Sequence, residues 1–280
     1  MTSALKKPET TSFPTVELRP KIGSELIIDK ASLLSGAASH QIRELLEQRG
    51  VVLVREIHLT SQEQIAFTET LGPLIGASKD KISKITIDPA ENPMGDYIRG
   101  AFYWHIDGTM LPEPIGFAAL TAQRLAPVGG DTELCNTYAA YDELSESDKQ
   151  QIDNLKVVHS IENSQRYVTP EPTYEQLQRW QEFPDRILPL VWKHRSGRKS
   201  LVLGNTAMYV IGMGQRDSSA LLTRLRDWAT QPQFVIRHKW KVGDMVIWDN
   251  TGTMHRAMHY SLDSGRLMHR TQTAGEEAVT

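Results

Sequence analysis

Cysteine is nearly absent: Cys135 is the single one in a chain of 280 residues. One thiol forms no internal disulfide and is too few for a structural zinc or iron–sulfur site, so a reducing, cytoplasmic setting is the expectation. Long apolar runs are missing too. None approaches the roughly 18 residues that a membrane-crossing helix needs, and the polar start Met1 to Thr11 lacks the apolar centre of a secretory signal. Charge of one sign is not in excess, since 31 basic residues face 34 acidic ones for a net charge of −3. That balance provides no general attraction to nucleic acid or to an anionic membrane, and neither is an expected partner. What the chain does have is 40% hydrophobic composition, ample for a packed core. Residues 1–15 carry little periodicity and are predicted as a flexible terminus, followed by one domain over 16–280.

Apolar spacing marks the elements. Ile42, Leu45 and Leu46 at i, i+3, i+4 predict an amphipathic helix over 39–49 that Gly50 stops, and Val51 to Val54 follow as a buried strand. Thr60 with Glu63 makes a capping box for a second helix, ending at Gly72-Pro73. Residues 76–100 show no sustained period and stand just before the candidate site, as a lid would. Ile115 to Leu125 reads as an interior strand, Pro127 to Thr132 as a turn into another, and 137–155 as helix. From there to about residue 209 the reading is irregular structure with short strands, among them 187–192 and 199–203. Leu221, Leu222, Leu225 and Trp228 predict a third amphipathic helix over 217–229. Strands at 233–240, 245–248 and 266–273 complete the chain. Short strands broken by turns, with helices inserted, predict a mostly β fold with flanking helices, an antiparallel barrel or jelly roll, and argue against an alternating βαβ protein.

The residues that carry chemistry lie in two runs, Trp104-His105-Ile106-Asp107 and Trp248-Asp249-Asn250-Thr251-Gly252-Thr253-Met254-His255. Two imidazoles and one carboxylate are the ligand set that holds ferrous iron on one triangular face and leaves the opposite positions open. His105 and Asp107 are spaced i, i+2, which on an extended strand directs both side chains to the same side. His255 would be the third ligand, from another strand. Downstream, Arg266 and Arg270 offer guanidinium groups that grip a carboxylate through two parallel hydrogen bonds. Asp249 and Asn250 are predicted to hold the approach to His255. Trp104 and Trp248 are expected in the barrel wall, and Tyr97, Phe102 and Tyr103 at the substrate mouth or packed within the lid. His159, His194, His238, His259 and His269 read as structural or surface histidines, and Cys135 as a small buried apolar residue.

At these residues the chain resembles the taurine dioxygenase and dichlorophenoxyacetate dioxygenase (TauD/TfdA) family of iron(II)- and 2-oxoglutarate-dependent oxygenases. The resemblance runs from about residue 16 to 273. It rests on Val51 to Leu74 with Ser61-Gln62-Glu63-Gln64 and Leu71-Gly72-Pro73, on Trp104 to Asp107, on Gly129-Gly130-Asp131-Thr132 with Ala139-Ala140-Tyr141, and on Trp240 to Arg270. It implies a double-stranded β-helix, a form of jelly roll, with His105, Asp107 and His255 as iron ligands. It further implies that Arg266 pairs with the distal carboxylate of 2-oxoglutarate, that Thr132 adds a hydroxyl there, and that Arg270 faces the acidic group of the substrate; Tyr103 of the aromatic group is the further candidate for substrate contact. Association into dimers or tetramers is a family habit.

The resemblance implies that Fe(II), 2-oxoglutarate and O2 act together to hydroxylate an unactivated C–H bond, yielding succinate and carbon dioxide, with C–O or C–S cleavage where the carbinol collapses. Because Asp107 is present where related halogenases have a residue that does not coordinate, hydroxylation is favoured over halogenation. The expected substrate is small and anionic. A tailoring hydroxylase or desaturase of a larger natural product is the alternative enzyme. A catalytically silent jelly-roll protein that binds a metal or an organic acid is the alternative from another class. A metal hydrolase would want a positioned general base, and the sequence offers no obvious one.

Overall fold

The computed structural model describes residues 12–76, 81–92, 95–112 and 114–279. The predicted flexible terminus lies mostly outside these residues, and chain order begins with the strand Thr15–Arg19. The chain is mostly β with helices around it. Among the described residues an eight-stranded sheet runs in the order Thr15–Arg19, Ile22–Leu26, Val51–Val54, Met245–Asp249, Ile115–Arg124, Leu267–Ala274 and Leu74–Ile75, with Ser83–Ile85 also paired to Leu267–Ala274. A three-stranded sheet of Val235–His238, Thr132–Asn136 and Thr253–Ala257 shares a core with its inner face.

The alternation of side chains explains why both faces of the large sheet are apolar. Val51, Leu53, Val246 and Trp248 point inward and meet Leu134 and Ile236 of the three-stranded sheet. Val52, Val54, Met245 and Ile247 point outward and are covered by Leu33, Ile42, Leu46 and Phe67 from helices. Each large apolar side chain buried in this way stabilises the fold by roughly 1.5–3 kcal/mol. The helix Ser39–Arg49 ends at Gly50 in the left-handed conformation, and Ser61–Glu69 starts with the capping box of Thr60 and Glu63, both as predicted. Gln64 of the latter helix is buried and pins it to the sheet, donating to Ala119 O at 3.0 Å and accepting from Thr121 Oγ1 at 2.8 Å. On the outer face of the three-stranded sheet, Cys135 and Met254 pack under Leu221, Leu222 and Leu225 of the helix Gln215–Ala229.

Several expectations need correction. Residues 137–155 form two helices, Thr137–Asp142 and Glu146–Ile152, because Ser145 caps the second by accepting from Asp148 N at 3.1 Å. The expected strand 187–192 is split into Arg186–Pro189 and Val191–Lys193, which pair with different neighbours. The stretch read as irregular also contains the helices Ile161–Arg166 and Tyr174–Gln181. The segment 76–100 includes the short strand Ser83–Ile85 and the helix Gly95–Ile98, while residues 77–80 and 93–94 lie outside the described residues.

His159 is fully buried, with Nδ1 2.9 Å from Thr206 Oγ1. Burial, aided by Arg186, pushes its imidazole down to about 4. Because the folded-state value is depressed, the stability it contributes is complete above the ordinary value near 6.5 and is lost as pH falls towards 4. One such proton is worth up to about 1.4 kcal/mol per pH unit. Urea unfolding is therefore expected to show a lower midpoint at pH 5.0 than at pH 7.5, and a smaller difference in His159→Gln. An equal fall in the variant would remove His159 as a source.

Candidate metal and 2-oxo-acid site

His105 does not sit on a regular strand, contrary to the i, i+2 expectation. It forms a single antiparallel bridge with His255, in which His105 N donates to His255 O at 3.0 Å and His255 N to His105 O at 2.9 Å. The chain then turns at Asp107-Gly108, with Gly108 at φ +71°, a conformation that favours glycine. The bridge and the turn, rather than strand alternation, bring the three side chains together. One ligand atom from each of His105, Asp107 and His255 lies within 4.8 Å of the others. His105 Nε2 is 3.8 Å from Asp107 Oδ1, and His255 Nε2 is 3.7 Å from Asp107 Oδ2.

Local bonds orient these groups. His105 Nδ1 is 2.9 Å from Tyr103 O, and a carbonyl only accepts, so the ring proton belongs on Nδ1 and Nε2 keeps its lone pair. His255 packs against Trp248 with ring centres 4.6 Å apart. Burial lowers the proton affinity of both imidazoles, and His255 is brought down to about 3 with help from His105. For Asp107, burial pushes the carboxyl up, but the Arg270 guanidinium, His255 and His105 outweigh it and hold the carboxyl at about 2. The three groups are thus in the protonation states a divalent metal requires, two neutral imidazoles and a carboxylate. That donor set, hard oxygen with borderline nitrogen, fits ferrous iron.

Arg270 lies where its Nη1 donates to Asp107 Oδ2 at 2.8 Å. Two residues were missed as partners of the carboxylate ligand. Gln272 Nε2 donates to the same Oδ2 at 3.0 Å. Asn250, expected near His255, instead forms a reciprocal pair with the Asp107 backbone: its Oδ1 accepts from Asp107 N at 3.1 Å and its Nδ2 donates to Asp107 O at 2.9 Å. The neighbouring Asp249 is buried and accepts from Tyr138 Oη at 3.0 Å and Thr251 Oγ1 at 2.7 Å. The alternation of strand Leu267–Ala274, which directs Arg270 and Gln272 to one face, was the available signal for Gln272.

Arg266 is 3% exposed, and its guanidinium lies over the Tyr260 ring at 4.7 Å. Its Nη2 donates to Gly130 O at 3.0 Å, while its Nε is buried without a hydrogen-bond partner among the described residues. The acid that acts on it over distance, Asp131, is engaged by Arg237 at 2.8 Å. A buried cation with free donors and no bonded carboxylate is suited to an anionic ligand. Gly130, at φ +77°, leaves the room: a Cβ there would meet Arg266 Nε at 2.9 Å. Thr132 faces the interior two register steps from the His255 pairing, and its Oγ1 accepts from Trp240 Nε1 at 2.9 Å, so its own proton remains to be donated.

Tyr103 does not join this group by its ring. The ring packs on Tyr167 at 5.0 Å and lines a cleft of about 530 Å³ whose walls include none of His105, Asp107 and His255. Trp104 lies in the outer core under the Arg256 guanidinium, and Trp248 in the inner one. Phe102 packs on His259 and Tyr260, and Tyr97 on Phe183. The remaining histidines have structural partners: His194 binds Glu277 at 2.7 Å and Ser200 at 2.8 Å, His238 pairs with Asp244, and His269 lies 3.2 Å from Ser61 Oγ. Among the described residues no helix is long and apolar enough to cross a membrane.

Residues 14–272 match the family described as taurine catabolism dioxygenase TauD, TfdA. The chain is 32% identical to the alpha-ketoglutarate-dependent 2,4-dichlorophenoxyacetate dioxygenase of Cupriavidus pinatubonensis, over 90% of this chain and 94% of the relative. It is 30% identical to an alkylsulfatase of Acinetobacter baylyi, over 99% of this chain and 89% of the relative. Among solved structures it is similar to AAD-2 in complex with Mn(II) and N-oxalylglycine, with a TM-score of 0.85 and 28% identity, covering 96% of this chain and 99% of the other.

Proposed function

The chain belongs to the TauD/TfdA family of taurine catabolism dioxygenases, and from that premise we propose that it hydroxylates an unactivated C–H bond of a small anionic organic molecule. It is a 2-oxoglutarate-dependent non-haem iron dioxygenase, with Fe(II), 2-oxoglutarate and O2 as its cofactor and co-substrates. The observation that carries the assignment of residues is the convergence of His105, Asp107 and His255 to within 4.8 Å, with a buried, carboxylate-free Arg266 in the same fold.

In this reading His105, Asp107 and His255 hold the iron. Arg266 grips the distal carboxylate of 2-oxoglutarate, and Thr132 donates its hydroxyl proton to that carboxylate. Bound iron with 2-oxoglutarate and O2 supplies the oxidising power, so that substrate C–H becomes C–OH while 2-oxoglutarate becomes succinate and carbon dioxide. Arg270 neutralises the acid of the substrate and so orients one C–H bond at the metal face, while the apolar interior keeps stray water out. Where the attacked carbon bears an ether or sulfate ester oxygen, the product alcohol collapses and the C–O bond breaks. Relatives named for phenoxyacetate, phenoxypropionate and sulfate ester chemistry support this preference for anions. We infer further that the facing sheets make a double-stranded β-helix and that 16–280 act as one domain, consistent with a family match over 14–272.

The test is a panel of carboxylate, sulfonate and sulfate ester substrates and their uncharged amide or alcohol analogues, read as succinate formed per product. Anions are expected to couple turnover, and the neutral analogues not. Arg270→Ala is expected to raise KM for the anion by roughly 10–150-fold, the value of a hydrogen bond to a charged group. Equal use of neutral and anionic substrates would overturn the assignment of Arg270 and turn attention to a larger natural product.

A further inference from the structure

We propose that Gln272 is a positioning residue for Asp107, holding one carboxylate oxygen so that the other is the one offered to the metal. The inference rests on the assignment of His105, Asp107 and His255 as ligands. Gln272 is 8% exposed on the strand Leu267–Ala274, on the face that also carries Arg270. Its register partner on the adjacent strand is Ala118, which is fully buried and small enough to leave the side chain room to reach across to Asp107.

Oδ2 of Asp107 accepts two hydrogen bonds, from Arg270 Nη1 at 2.8 Å and Gln272 Nε2 at 3.0 Å. Oδ1 accepts none among the described residues, and its near neighbour is His105 Nε2 at 3.8 Å. A carboxylate turns about the bond to its Cβ, and two donors arriving from different side chains at one oxygen oppose that rotation. The backbone of Asp107 is already fixed by the Asn250 amide, so Gln272 and Arg270 act on the side-chain torsions that remain.

The two donors are not equivalent. Arg270 is a cation, and an anionic substrate competes for it with Asp107. Gln272 is neutral and gains little from following an anion, so its bond to Oδ2 persists when the guanidinium is shared. A glutamine beside the arginine therefore separates two tasks that a single arginine would have to divide, which are holding the ligand and receiving the substrate. In the sequence only the alternation that Gln272 shares with Arg270 points to this, because Gln272 lies 165 positions from its partner.

The experiment measures Mn(II) binding to the full chain by the loss of the free-ion magnetic resonance signal, in wild type, Gln272→Met, Gln272→Asn and His255→Ala, with thermal unfolding of each. Methionine keeps the volume without the donor. Asparagine keeps the amide, one carbon too short to reach Oδ2. Both are expected to bind Mn(II) roughly 10–100-fold more weakly than wild type, the usual effect of removing a partner of a metal ligand. Their unfolding midpoints are expected within a few degrees of wild type, which a merely structural role for Gln272 would not combine with weakened metal binding. With Co(II) in place of Mn(II), the visible ligand-field bands of both variants are expected to shift. If either variant folds like wild type and matches its Mn(II) affinity within twofold, the role of Gln272 is overturned. If wild type binds no better than His255→Ala, the ligand assignment itself fails, and that outcome is distinct.

Discussion

Asp107→Ala is expected to leave no measurable substrate turnover and less than one equivalent of iron after anaerobic loading. The substitution removes the anionic member of a three-ligand set, a larger loss than the roughly 10–100-fold that removal of a ligand's partner causes. It also strands the donors of Arg270 and Gln272, which both lose their acceptor. Breaking a fully buried ion pair from one side costs about 3–5 kcal/mol. Arg270 is partly exposed, with 23% of its side chain open, so solvent screening reduces that to roughly 1–2 kcal/mol. A modest fall in the unfolding midpoint should therefore accompany the loss of iron. A folded variant that retains a full equivalent of iron and turns over 2-oxoglutarate would exclude Asp107 from the metal face.

Arg266→Ala should weaken 2-oxoglutarate binding by roughly 30–4,000-fold, corresponding to the 2–5 kcal/mol lost when one partner of a buried charged pair is removed. Among the described residues the guanidinium has no bonded carboxylate, so the variant leaves Gly130 O without its donor and Tyr260 without the cation over its ring and the hydrogen bond it shares with Arg266. Anaerobic titration with ferrous iron and 2-oxoglutarate, followed through the weak visible charge-transfer band of the chelated complex, reads this directly. Iron binding itself should survive, because Arg266 makes no hydrogen bond to His105, Asp107 or His255 among the described residues. Arg266→Lys should restore part of the affinity and not all, since an ammonium cannot match a carboxylate with two parallel bonds. Wild-type affinity in the alanine variant would move the distal carboxylate of 2-oxoglutarate to another cation.

How much of this was legible in the chain depended on range. Helix limits written in adjacent residues were read correctly, as at Gly50 and at the Thr60 and Glu63 capping box. The box of Thr173 and Gln176 carried the same signal for Tyr174–Gln181 and was overlooked, and Ser145 likewise marked the break within 137–155. The caps that set these limits lie within three residues of the helices they start. Other misreadings had no local remedy. His105 and Asp107 share a side because of a bridge to His255 and a turn at Gly108, and the spacing alone suggested a strand.

By itself the sequence determined the residue types and therefore the chemistry: two imidazoles, a carboxylate and two late arginines in family order, on a mostly β chain with helices around it. It also determined the local starts and stops, because caps, turns and apolar periods act within a few residues. Only the tertiary structure decided which atoms meet. That Arg270 and Gln272 both reach Oδ2 of Asp107, that Asn250 holds its backbone, and that Arg266 is buried beside Gly130 are consequences of tertiary packing between segments more than a hundred residues apart. A register shift of one residue in Leu267–Ala274 would turn Arg270 and Gln272 to the opposite face, and register is set by the packing of both sheets together.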